Sequence, residues 1–555
     1  MKIAFALYQL AGTERMSLML LSALTKKHFP YAKRDMIVYK EGRFAEKLEK
    51  FKPDIVAISA MTGEHVDNLE MAKEIRLVEK RIGKKIFIIM GGPHCTFAPE
   101  VLRGSVLDAV GVGECDLAWV ELLSAMEGNK NINYIFNIVT QENFSSVVKP
   151  ASFGGENYIK YKAINVRERT CFDATHKSCL DDLPFFDWEL HQNRTNFDSI
   201  NPIGKRTIMT RRGCPFFCTY CFNRVFKEIY HGMGPALHNY SIDRIIEECK
   251  YVAKRWPTRF WKIYDDVFIF SSKGKEGARL REFAEKWPKE IGLPFFVLTR
   301  ADLVAKDPDI LRLLKEAGCC SLTMSIEGGN EYVREKVLER SMSDEEIIFA
   351  HRLAWELGIK TFSNVIFSVP IKDEEIIKYN LSKFSIDRDI ESVDIAMKAR
   401  VHYLECPMLA PYPGTKLGKY CQENGFFNGD IDKMPSSYQN TSIFDCFEPG
   451  EKRMSQNLAF LALWCVWLGS RQNYFVREVI APKWFWLVTK FLIRLPWQWS
   501  TKAYFVMYFT LKQWLNPAEI YRIKNAHAFL ISKESLKGIW PRLKFAISQQ
   551  FPANK

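Results

Sequence analysis

Three cysteines stand close together near the middle of the chain. Cys214, Cys218 and Cys221 have the spacing C-x3-C-x2-C, and Tyr220 precedes the third. Three thiolates on one tight loop can hold three irons of a cubane cluster and leave the fourth iron open to chelate a substrate. A structural zinc site usually needs four ligands, commonly on two separated C-x2-C knuckles, and the sequence has no second knuckle. The spacing therefore favours a [4Fe-4S] cluster over zinc or three unrelated buried cysteines.

The composition is typical of a globular protein with several domains. The 555 residues are 47% hydrophobic and 26% charged, which allows about two to four domains. No signal-like segment opens the sequence, so we expect a cytoplasmic protein whose fourteen cysteines are thiols and metal ligands rather than disulfides. The net charge of +13 comes from Lys and Arg spread along the chain, without a dense block or a nucleic-acid-binding motif. We therefore expect no nucleic acid, and an anionic substrate, an acidic membrane surface or an electron-donor protein fits the surplus.

Residues 1–130 alternate short apolar runs with amphipathic stretches, which predicts an α/β domain with a doubly wound, Rossmann-like sheet. The predicted strands are Lys2–Leu7, Asp54–Ala60, Lys85–Met90 and Leu107–Val112, and the predicted helices are Asn68–Lys80 and Asp116–Met126. Small or glycine-bearing segments follow the last three strands, at 59–63, 91–94 and 111–114. Ligands bind at such strand ends, but the pattern alone fits a flavin, a nucleotide or no ligand.

A second βα alternation follows a predicted hairpin and linker at 131–200. Six βα units over residues 201–425 form an open, partial (β/α)6 barrel more readily than a closed eightfold one, with its site at the carboxyl ends of the strands. The predicted strands are Thr207–Thr210, Arg259–Tyr264, Phe295–Thr299, Ser321–Ser325, Thr361–Ser368 and, roughly, Asp394–Leu404. The predicted helices include Ile242–Lys254, Pro308–Glu316 and Asp344–Leu357.

Residues 426–555 form a predicted α-helical region that is rich in aromatic residues. Lysine and arginine interrupt its apolar runs well before the roughly 18 residues that span a bilayer. Two interpretations stay open, a helical cap that builds its own core and an interfacial surface with Trp and Tyr at headgroup depth. The aromatic residues are Trp464, Trp467, Trp484, Phe485, Trp486, Trp497, Trp499, Tyr504, Phe505, Tyr508 and Phe509.

The cysteine loop resembles the signature of the radical S-adenosylmethionine (SAM) superfamily, C-x3-C-x-aromatic-C, with Tyr220 in the aromatic position. Further segments resemble one branch of that superfamily, the radical SAM proteins with a cobalamin-binding domain, and the resemblance covers roughly residues 1–425. These segments are Gly91-Gly92-Pro93-His94, Val112-Gly113-Glu114, Leu180–Pro184, Tyr264–Phe268, Thr299–Asp302, Ala317–Cys319, Ser325–Asn330 and Pro411–Thr415.

The resemblance implies roles for residues of the barrel. Cys214, Cys218 and Cys221 would be the catalytic cluster ligands, and the open iron would bind the methionine moiety of SAM. Asp265 or Asp266, at the end of the second barrel strand, would bind the SAM ammonium group, although a solvated strand-end turn is the alternative. Two further residues, Arg300 and Glu327, would bind the SAM carboxylate and the ribose hydroxyls, with a rim ion pair as the alternative for each.

The resemblance also implies cobalamin in the N-terminal domain, with its corrin between the two domains. The motif D-x-H-x-x-G, which supplies a histidine to cobalt in other cobalamin proteins, is absent. We therefore expect base-off cobalamin without a protein histidine on cobalt, and we expect neither His94 nor His65 to be a cobalt ligand. The nucleotide tail would lie between loops that contain Ser59, Thr62, Gly91, Gly92, His94, Gly113 and Glu114.

The implied function is hydrogen abstraction from an unactivated carbon by a 5′-deoxyadenosyl radical, followed by methyl transfer from methylcobalamin. Radical oxidation or cyclisation without methyl transfer is the alternative enzymatic function, and a non-catalytic cobalamin or Fe-S sensor is a remote one. The expected partners are a small-molecule or lipid-like substrate and an electron donor such as flavodoxin or ferredoxin. A peripheral contact of the C-terminal region with the inner face of a membrane follows from its interfacial interpretation.

Overall fold

Two six-stranded sheets, one in each half of the chain, form the framework of the protein. The computed structural model describes residues 1–10, 13–150, 161–169, 179–197, 204–435 and 441–495. The described strands are β1 Lys2–Leu7, β2 Lys33–Val38, β3 Ile55–Ser59, β4 Phe87–Gly91, β5 Ala109–Gly111, β6 Ile138–Thr140, β7 Val148–Pro150, β8 Tyr161–Ala163, β9 Lys205–Ile208, β10 Arg211–Arg212, β11 His238–Asn239, β12 Phe260–Ile263, β13 Phe295–Thr299, β14 Cys319–Met324, β15 Lys360–Asn364 and β16 Tyr403–Glu405.

The N-terminal sheet has the strand order β2-β1-β3-β4-β5-β6, in which only β6 runs antiparallel. The central strands are continuous apolar runs because helices cover both faces of the sheet. The helices of this half are Met16–His28, Phe44–Phe51, His65–Ile82, Pro93–Phe97, Asp116–Glu127 and Phe144–Val147, and the later helix Trp188–Arg194 packs against β2. This order confirms the doubly wound fold and places the switch point between β1 and β3, beside the loop that begins at Ala60.

The second sheet has the order β9-β12-β13-β14-β15-β16, with every pair of neighbours parallel. Strands that are neighbours in sequence are neighbours in space, which confirms the partial (β/α)6 barrel. The helices of this half are Phe222–Ile229, Ile242–Arg255, Gly274–Glu290, Ala301–Lys306, Asp309–Glu316, Asp344–Glu356, Asp373–Lys378, Ser385–Lys398 and Lys416–Glu423.

The predicted start of the sixth barrel strand, near Asp394, was wrong. Helix Ser385–Lys398 occupies that position, and the strand is confined to Tyr403–Glu405. Ile386, Val393 and Ala396 lie on the buried face of this helix at helical spacing. A β-branched apolar segment therefore forms a helix because its buried residues recur every three to four positions.

Between the sheets, β7 and β8 pair as an antiparallel hairpin, as the sequence predicts. Residues 151–160, between these two strands, lie outside the described residues. In the C-terminal region, helix Pro449–Gly469 packs against helix Ser385–Lys398 and carries helix Ala481–Lys490 on its other side. The aromatic residues from Trp497 onward also lie outside the described part. Among the described helices, none is both long enough and apolar enough to cross a bilayer.

Candidate active site

The cysteine loop is fixed at both ends by backbone contacts. Gly213 has φ +92°, and a Cβ at this position would lie 2.0 Å from the carbonyl oxygen of Ala236, so the turn requires glycine. The Thr219 backbone N–H donates to the Leu338 carbonyl at 3.1 Å, and its hydroxyl donates to the Val337 carbonyl at 2.7 Å. Helix Phe222–Ile229 begins directly after Cys221. The three cysteines are therefore presented by a rigid turn.

N–H donors point at two of the three sulfurs. Guanidinium Nη1 atoms of Arg300 and Arg340 lie 3.7 and 3.8 Å from Cys218 Sγ, and Asn223 Nδ2 lies 3.7 Å from Cys221 Sγ. Burial raises the pKa of Cys221 to about 12, so a bound cation is needed to hold it as a thiolate. This donor set fits metal-bound thiolates, which accept N–H···S bonds.

Within the described ranges, no group of three or more His, Cys, Asp or Glu side chains is placed to hold a single metal ion. In a cubane each thiolate binds a different iron, so the sulfurs of Cys214, Cys218 and Cys221 do not have to meet at one point.

The two adjacent aspartates after β12 have different environments. Asp265 is buried and accepts hydrogen bonds from the backbone N–H groups of Thr210 at 2.6 Å and Arg211 at 3.2 Å, and from the Thr210 hydroxyl. Burial raises the pKa of Asp265 to about 6. Asp266 is solvent-accessible but lies in a recess that desolvates it and raises its pKa, and it is hydrogen-bonded to Asn223. Asp265 thus holds the end of β9 to the cysteine loop, whereas Asp266 remains accessible beside that loop.

Arg300 and Glu327 both lie close to the cysteine loop. The Arg300 fork binds Asp302 through Nε at 2.9 Å and Nη2 at 3.2 Å, and the guanidinium lies 4.1 Å from the centre of the Phe216 ring. Glu327 is buried at φ +67°, a left-handed conformation that is costly for a residue other than glycine and that occurs at functional sites. Burial raises the pKa of the Glu327 carboxyl, and the Arg340 guanidinium and a hydrogen bond from Tyr220 oppose that rise.

Arg340 is a residue of this site that the sequence analysis missed. Its side chain is buried and donates to the Ser325 carbonyl through Nε at 3.1 Å and Nη2 at 2.9 Å, while Nη1 reaches the Tyr220 hydroxyl at 3.3 Å. Burial opposes its charge, but the neighbouring acidic groups, which include Glu327, raise the pKa of Arg340 above its usual value. Arg340 follows a short helical segment and belongs to no apolar pattern. Only its position in the fold therefore identifies Arg340 as a residue of this site.

The predicted loops of the N-terminal domain meet at one edge of the sheet. Gly92 has φ +99°, and a Cβ there would lie 2.7 Å from the Ala60 carbonyl oxygen. The Ala60 N–H donates to the Gly91 carbonyl at 2.9 Å, and the His94 N–H donates to the Ala60 carbonyl at 3.2 Å. Backbone bonds therefore join the loop of Ser59 and Thr62 to the Gly91-Gly92-Pro93-His94 loop.

His94 and His65 stack on each other beside these loops, with ring centroids 3.8 Å apart. His94 Nδ1 lies 3.1 Å from the Thr62 hydroxyl, and burial lowers the pKa of His94 to about 3. His65 Nδ1 accepts from the Gly63 N–H at 3.1 Å, so its Nε2 carries the proton and donates to Asp432 at 2.9 Å. Both nitrogens of His65 are therefore engaged, and His94 is a neutral imidazole.

Gly113 and Glu114 lie at the boundary between the two domains. A Cβ at Gly113 would lie 2.1 Å from the hydroxyl oxygen of Tyr230, which accepts a hydrogen bond from the Glu114 N–H at 2.7 Å. The Glu114 carboxylate pairs with Arg169 at 2.8 Å and with Arg212 at 3.8 Å. The partners Tyr230, Arg169 and Arg212 were missed because they lie far away in the sequence. These contacts link the N-terminal pocket directly to the strand that precedes the cysteine loop.

Comparisons with known proteins match both halves. The radical SAM superfamily model matches residues 208–379, and the B12 binding domain model matches residues 13–123. An uncharacterized methyltransferase of Pyrococcus horikoshii is 25% identical over 68% of this chain and 72% of its own length. An anaerobic magnesium-protoporphyrin IX monomethyl ester cyclase of Cereibacter sphaeroides is 23% identical over 64% of this chain and 52% of its own length.

The solved structure of the cobalamin-dependent S-adenosylmethionine radical enzyme OxsB has the same fold. Its TM-score is 0.56 at 16% identity, over 99% of this chain and 79% of that chain. The B12 binding domain model matches the first sheet, and the radical SAM model matches a later region that contains the cysteine loop. The chain is therefore a radical SAM enzyme with an N-terminal B12-binding domain, in a family that includes methyltransferases and anaerobic porphyrin-ring cyclases.

Proposed function

We propose that the protein is a cobalamin-dependent radical SAM C-methyltransferase acting at an unactivated carbon. One observation carries this proposal. Arg212, two residues before the first cluster cysteine, forms an ion pair with Asp116, which directly follows the Val112–Cys115 loop of the B12-binding domain. A radical source and a methyl donor that act on the same substrate carbon must be adjacent.

When bound, the cluster, SAM and cobalamin would supply an electron, a 5′-deoxyadenosyl radical and a transferable methyl group. The residues of the chain would bind and orient these groups. Asp266 is the accessible carboxylate for an ammonium group, and Arg300 and Arg340 offer guanidinium donors for a carboxylate. Glu327 would accept hydrogen bonds from ribose hydroxyls.

Asp302 accepts two hydrogen bonds from Arg300, and the Ser325 carbonyl accepts two from Arg340. These contacts fix the orientation of both guanidinium groups. A side chain that is already ordered loses little conformational entropy on binding, so the arrangement suits rapid and specific binding.

We propose the substrate by class, as a small-molecule or lipid-like compound. We also propose that the electron comes from a small carrier protein such as flavodoxin or ferredoxin. The protein would work in the cytoplasm, with its C-terminal region in contact with the inner face of a membrane.

The number of SAM molecules used per product tests the proposal. Methyl transfer consumes one SAM as the radical source and one as the methyl donor. In anaerobic assays with reconstituted protein, SAM labelled on its methyl group and lipid-like candidate substrates, we expect 5′-deoxyadenosine and S-adenosylhomocysteine in nearly equal amounts after the first turnover, with label in the product. Glu327→Gln should depress 5′-deoxyadenosine, whereas the matched control Glu285→Gln, at an exposed helix position, should not.

Radical oxidation or cyclisation is the second candidate function. The 23% identity to the cyclase of Cereibacter sphaeroides favours it. Such a reaction uses SAM only as the radical source. If a product forms with 5′-deoxyadenosine but without S-adenosylhomocysteine or label, the reaction is radical oxidation or cyclisation and not methylation.

A further inference from the structure

The last described helix has two apolar faces. Its outer face, which we define by five side chains, points into solvent. These side chains are Phe475, Ile480, Trp486, Leu487 and Phe491, with 61%, 40%, 57%, 37% and 54% of their surface exposed. Trp486 and Phe491 contact each other edge to face, with ring centroids 5.4 Å apart. These residues are spaced along the π-helical turn Val476–Ile480, helix Ala481–Lys490 and its C-cap, and all five are exposed on this segment.

The opposite face of the same helix anchors it to the body of the protein. Ala481, Val488 and Ile493 are fully buried, and the helix packs against Pro449–Gly469. Asn457 of that longer helix donates to the Ile493 carbonyl at 3.0 Å. The outer face is therefore not needed for the core of this region. A contiguous exposed apolar surface of this kind marks an interaction site.

Basic side chains accompany the outer face. Lys483 and Lys490 are exposed on the same helix, and within the described part of the chain neither forms an ion pair. Although Lys and Arg are spread over the whole sequence, Asp and Glu are scarce at its end. Residues 481–555 contain twelve Lys and Arg against two Glu and no Asp, so this segment holds ten of the thirteen net positive charges. Among the described residues 471–495, five Lys and Arg stand against one Glu and no Asp, so the described surroundings of the outer face are cationic.

We propose that the outer face docks on an anionic lipid bilayer, with the helix lying in the plane of the interface. Trp486 and the neighbouring apolar side chains would enter the boundary between headgroups and acyl chains, while Lys483 and Lys490 meet lipid phosphates. A second copy of the chain, or residues 496–555 folded back, would bring more positive charge to an already cationic face. Charge complementarity therefore favours an acidic lipid surface over either of these occupants.

This inference deepens the membrane-contact part of the proposed function and rests on it, since docking would give the barrel access to a lipid-like substrate. Docking itself requires no chemistry. Vesicle binding and SAM cleavage therefore report separately on the surface and on the catalytic proposal.

Flotation with lipid vesicles tests the inference on the full-length, anaerobically reconstituted protein. With vesicles of phosphatidylglycerol and phosphatidylcholine at low salt, we expect at least tenfold more bound protein than with phosphatidylcholine alone, and we expect release by salt. The double variant Trp486→Glu with Phe491→Glu should lose at least tenfold of this binding. Phe349→Glu with Tyr134→Glu, at exposed aromatic positions elsewhere, is the matched control and should bind like the unchanged protein.

The charge contribution has its own comparison. Lys483→Glu with Lys490→Glu should weaken vesicle binding and its salt dependence, whereas Lys275→Glu, at another exposed helix, should not. Cluster iron content checks that each variant is folded. Equal binding of the Trp486 and Phe491 double variant and the unchanged protein would overturn the inference. So would a dimer that this double variant dissolves, because a second copy of the chain would then cover the face.

Discussion

Arg212 and Asp116 form a bidentate ion pair across the boundary between the two domains. Arg212 Nη1 lies 2.6 Å from Asp116 Oδ2, and Nη2 lies 3.3 Å from Oδ1. Burial opposes the charge of Arg212, but Asp116 and Glu114 hold its pKa well above the usual value. One side chain thus connects the strand before Cys214 to the helix after the B12-domain loop. This contact joins the two domains directly.

Removing either partner should destabilise the protein and loosen the interface. A double-mutant cycle with Asp116→Ala and Arg212→Ala should give a coupling energy of about 1–3 kcal/mol, because each single change removes the shortest ion-pair contact of a largely buried charge. Urea unfolding of the four proteins measures this energy. The exposed pair Lys289–Glu285 is the control, and its coupling should not exceed about 0.5 kcal/mol. Equal coupling in both pairs would contradict a special role for the interdomain contact.

Cys218→Ala should remove most of the cluster iron and abolish SAM cleavage. Two remaining thiolates cannot hold a cubane with one open iron. Anaerobic iron and sulfide analysis measures the loss. Cys249→Ala, at a buried cysteine in helix Ile242–Arg255, is the control and should retain its iron. Near-normal iron in Cys218→Ala, with SAM cleavage intact, would show that the loop does not hold the cluster.

Arg340→Met should make the reduction potential of the cluster more negative. The change removes a positive charge and an N–H donor 3.8 Å from Cys218 Sγ, and both favour the reduced, more negative cluster. A shift on the order of 60 mV corresponds to a tenfold change in a one-electron equilibrium. A redox titration followed by electron paramagnetic resonance measures it. Arg244→Met, at a largely buried arginine paired with Glu248, should leave the potential unchanged. If both variants shift it equally, the effect is not specific to the sulfur contact.

Local sequence patterns predicted most of the barrel and the doubly wound sheet. Buried parallel strands are nearly continuous apolar runs, so β3, β4 and β13 were found close to their observed positions. Strand β2 was missed because it begins with the charged residues Lys33-Arg34-Asp35 at the edge of the sheet. Edge strands need less apolar sequence, and their pattern is correspondingly weak.

The site was predicted only where its residues are neighbours in sequence or match a family segment. The three cysteines lie in one loop and were recognisable by spacing. Arg340, Arg169 and Tyr230 reach the site through tertiary contacts and follow no periodicity, so no local signal identifies them. The different environments of Asp265 and Asp266 likewise depend on the position of Thr210, a residue far away in the chain.

Ionisation of the buried Asp389 carboxyl should lower the free energy of unfolding as pH rises. Burial raises its pKa from 3.8 to about 7. Because the folded carboxyl keeps a proton that the unfolded one releases, the stabilisation is complete below about pH 4 and is lost as pH rises through about 7, by at most about 4 kcal/mol.

Asp389→Asn should remove this pH dependence. An amide oxygen can still accept from the Ser368 N–H, at 3.0 Å in the unchanged protein, and the amide nitrogen can donate to the Ser455 hydroxyl. Thermal unfolding at pH 5 and pH 8.5 should show a smaller difference for this variant than for the unchanged protein. Asp387→Asn, on the exposed side of the same helix, is the control. An unchanged difference in Asp389→Asn would show that its carboxyl titrates normally.

Cobalamin bound in the cob(II)alamin state should give a base-off electron paramagnetic resonance spectrum without nitrogen splitting from a histidine. His94 is held between the Thr62 hydroxyl and the His65 ring, and both nitrogens of His65 are already bonded. His94→Ala removes the stacked ring from the pocket, so it should weaken cobalamin retention and leave the spectrum unchanged. The control His351→Ala alters a buried histidine of the barrel, bonded to the Met324 carbonyl, and should leave cobalamin retention unchanged. Clear axial nitrogen coupling that disappears in His94→Ala would make His94 a cobalt ligand and overturn the base-off prediction.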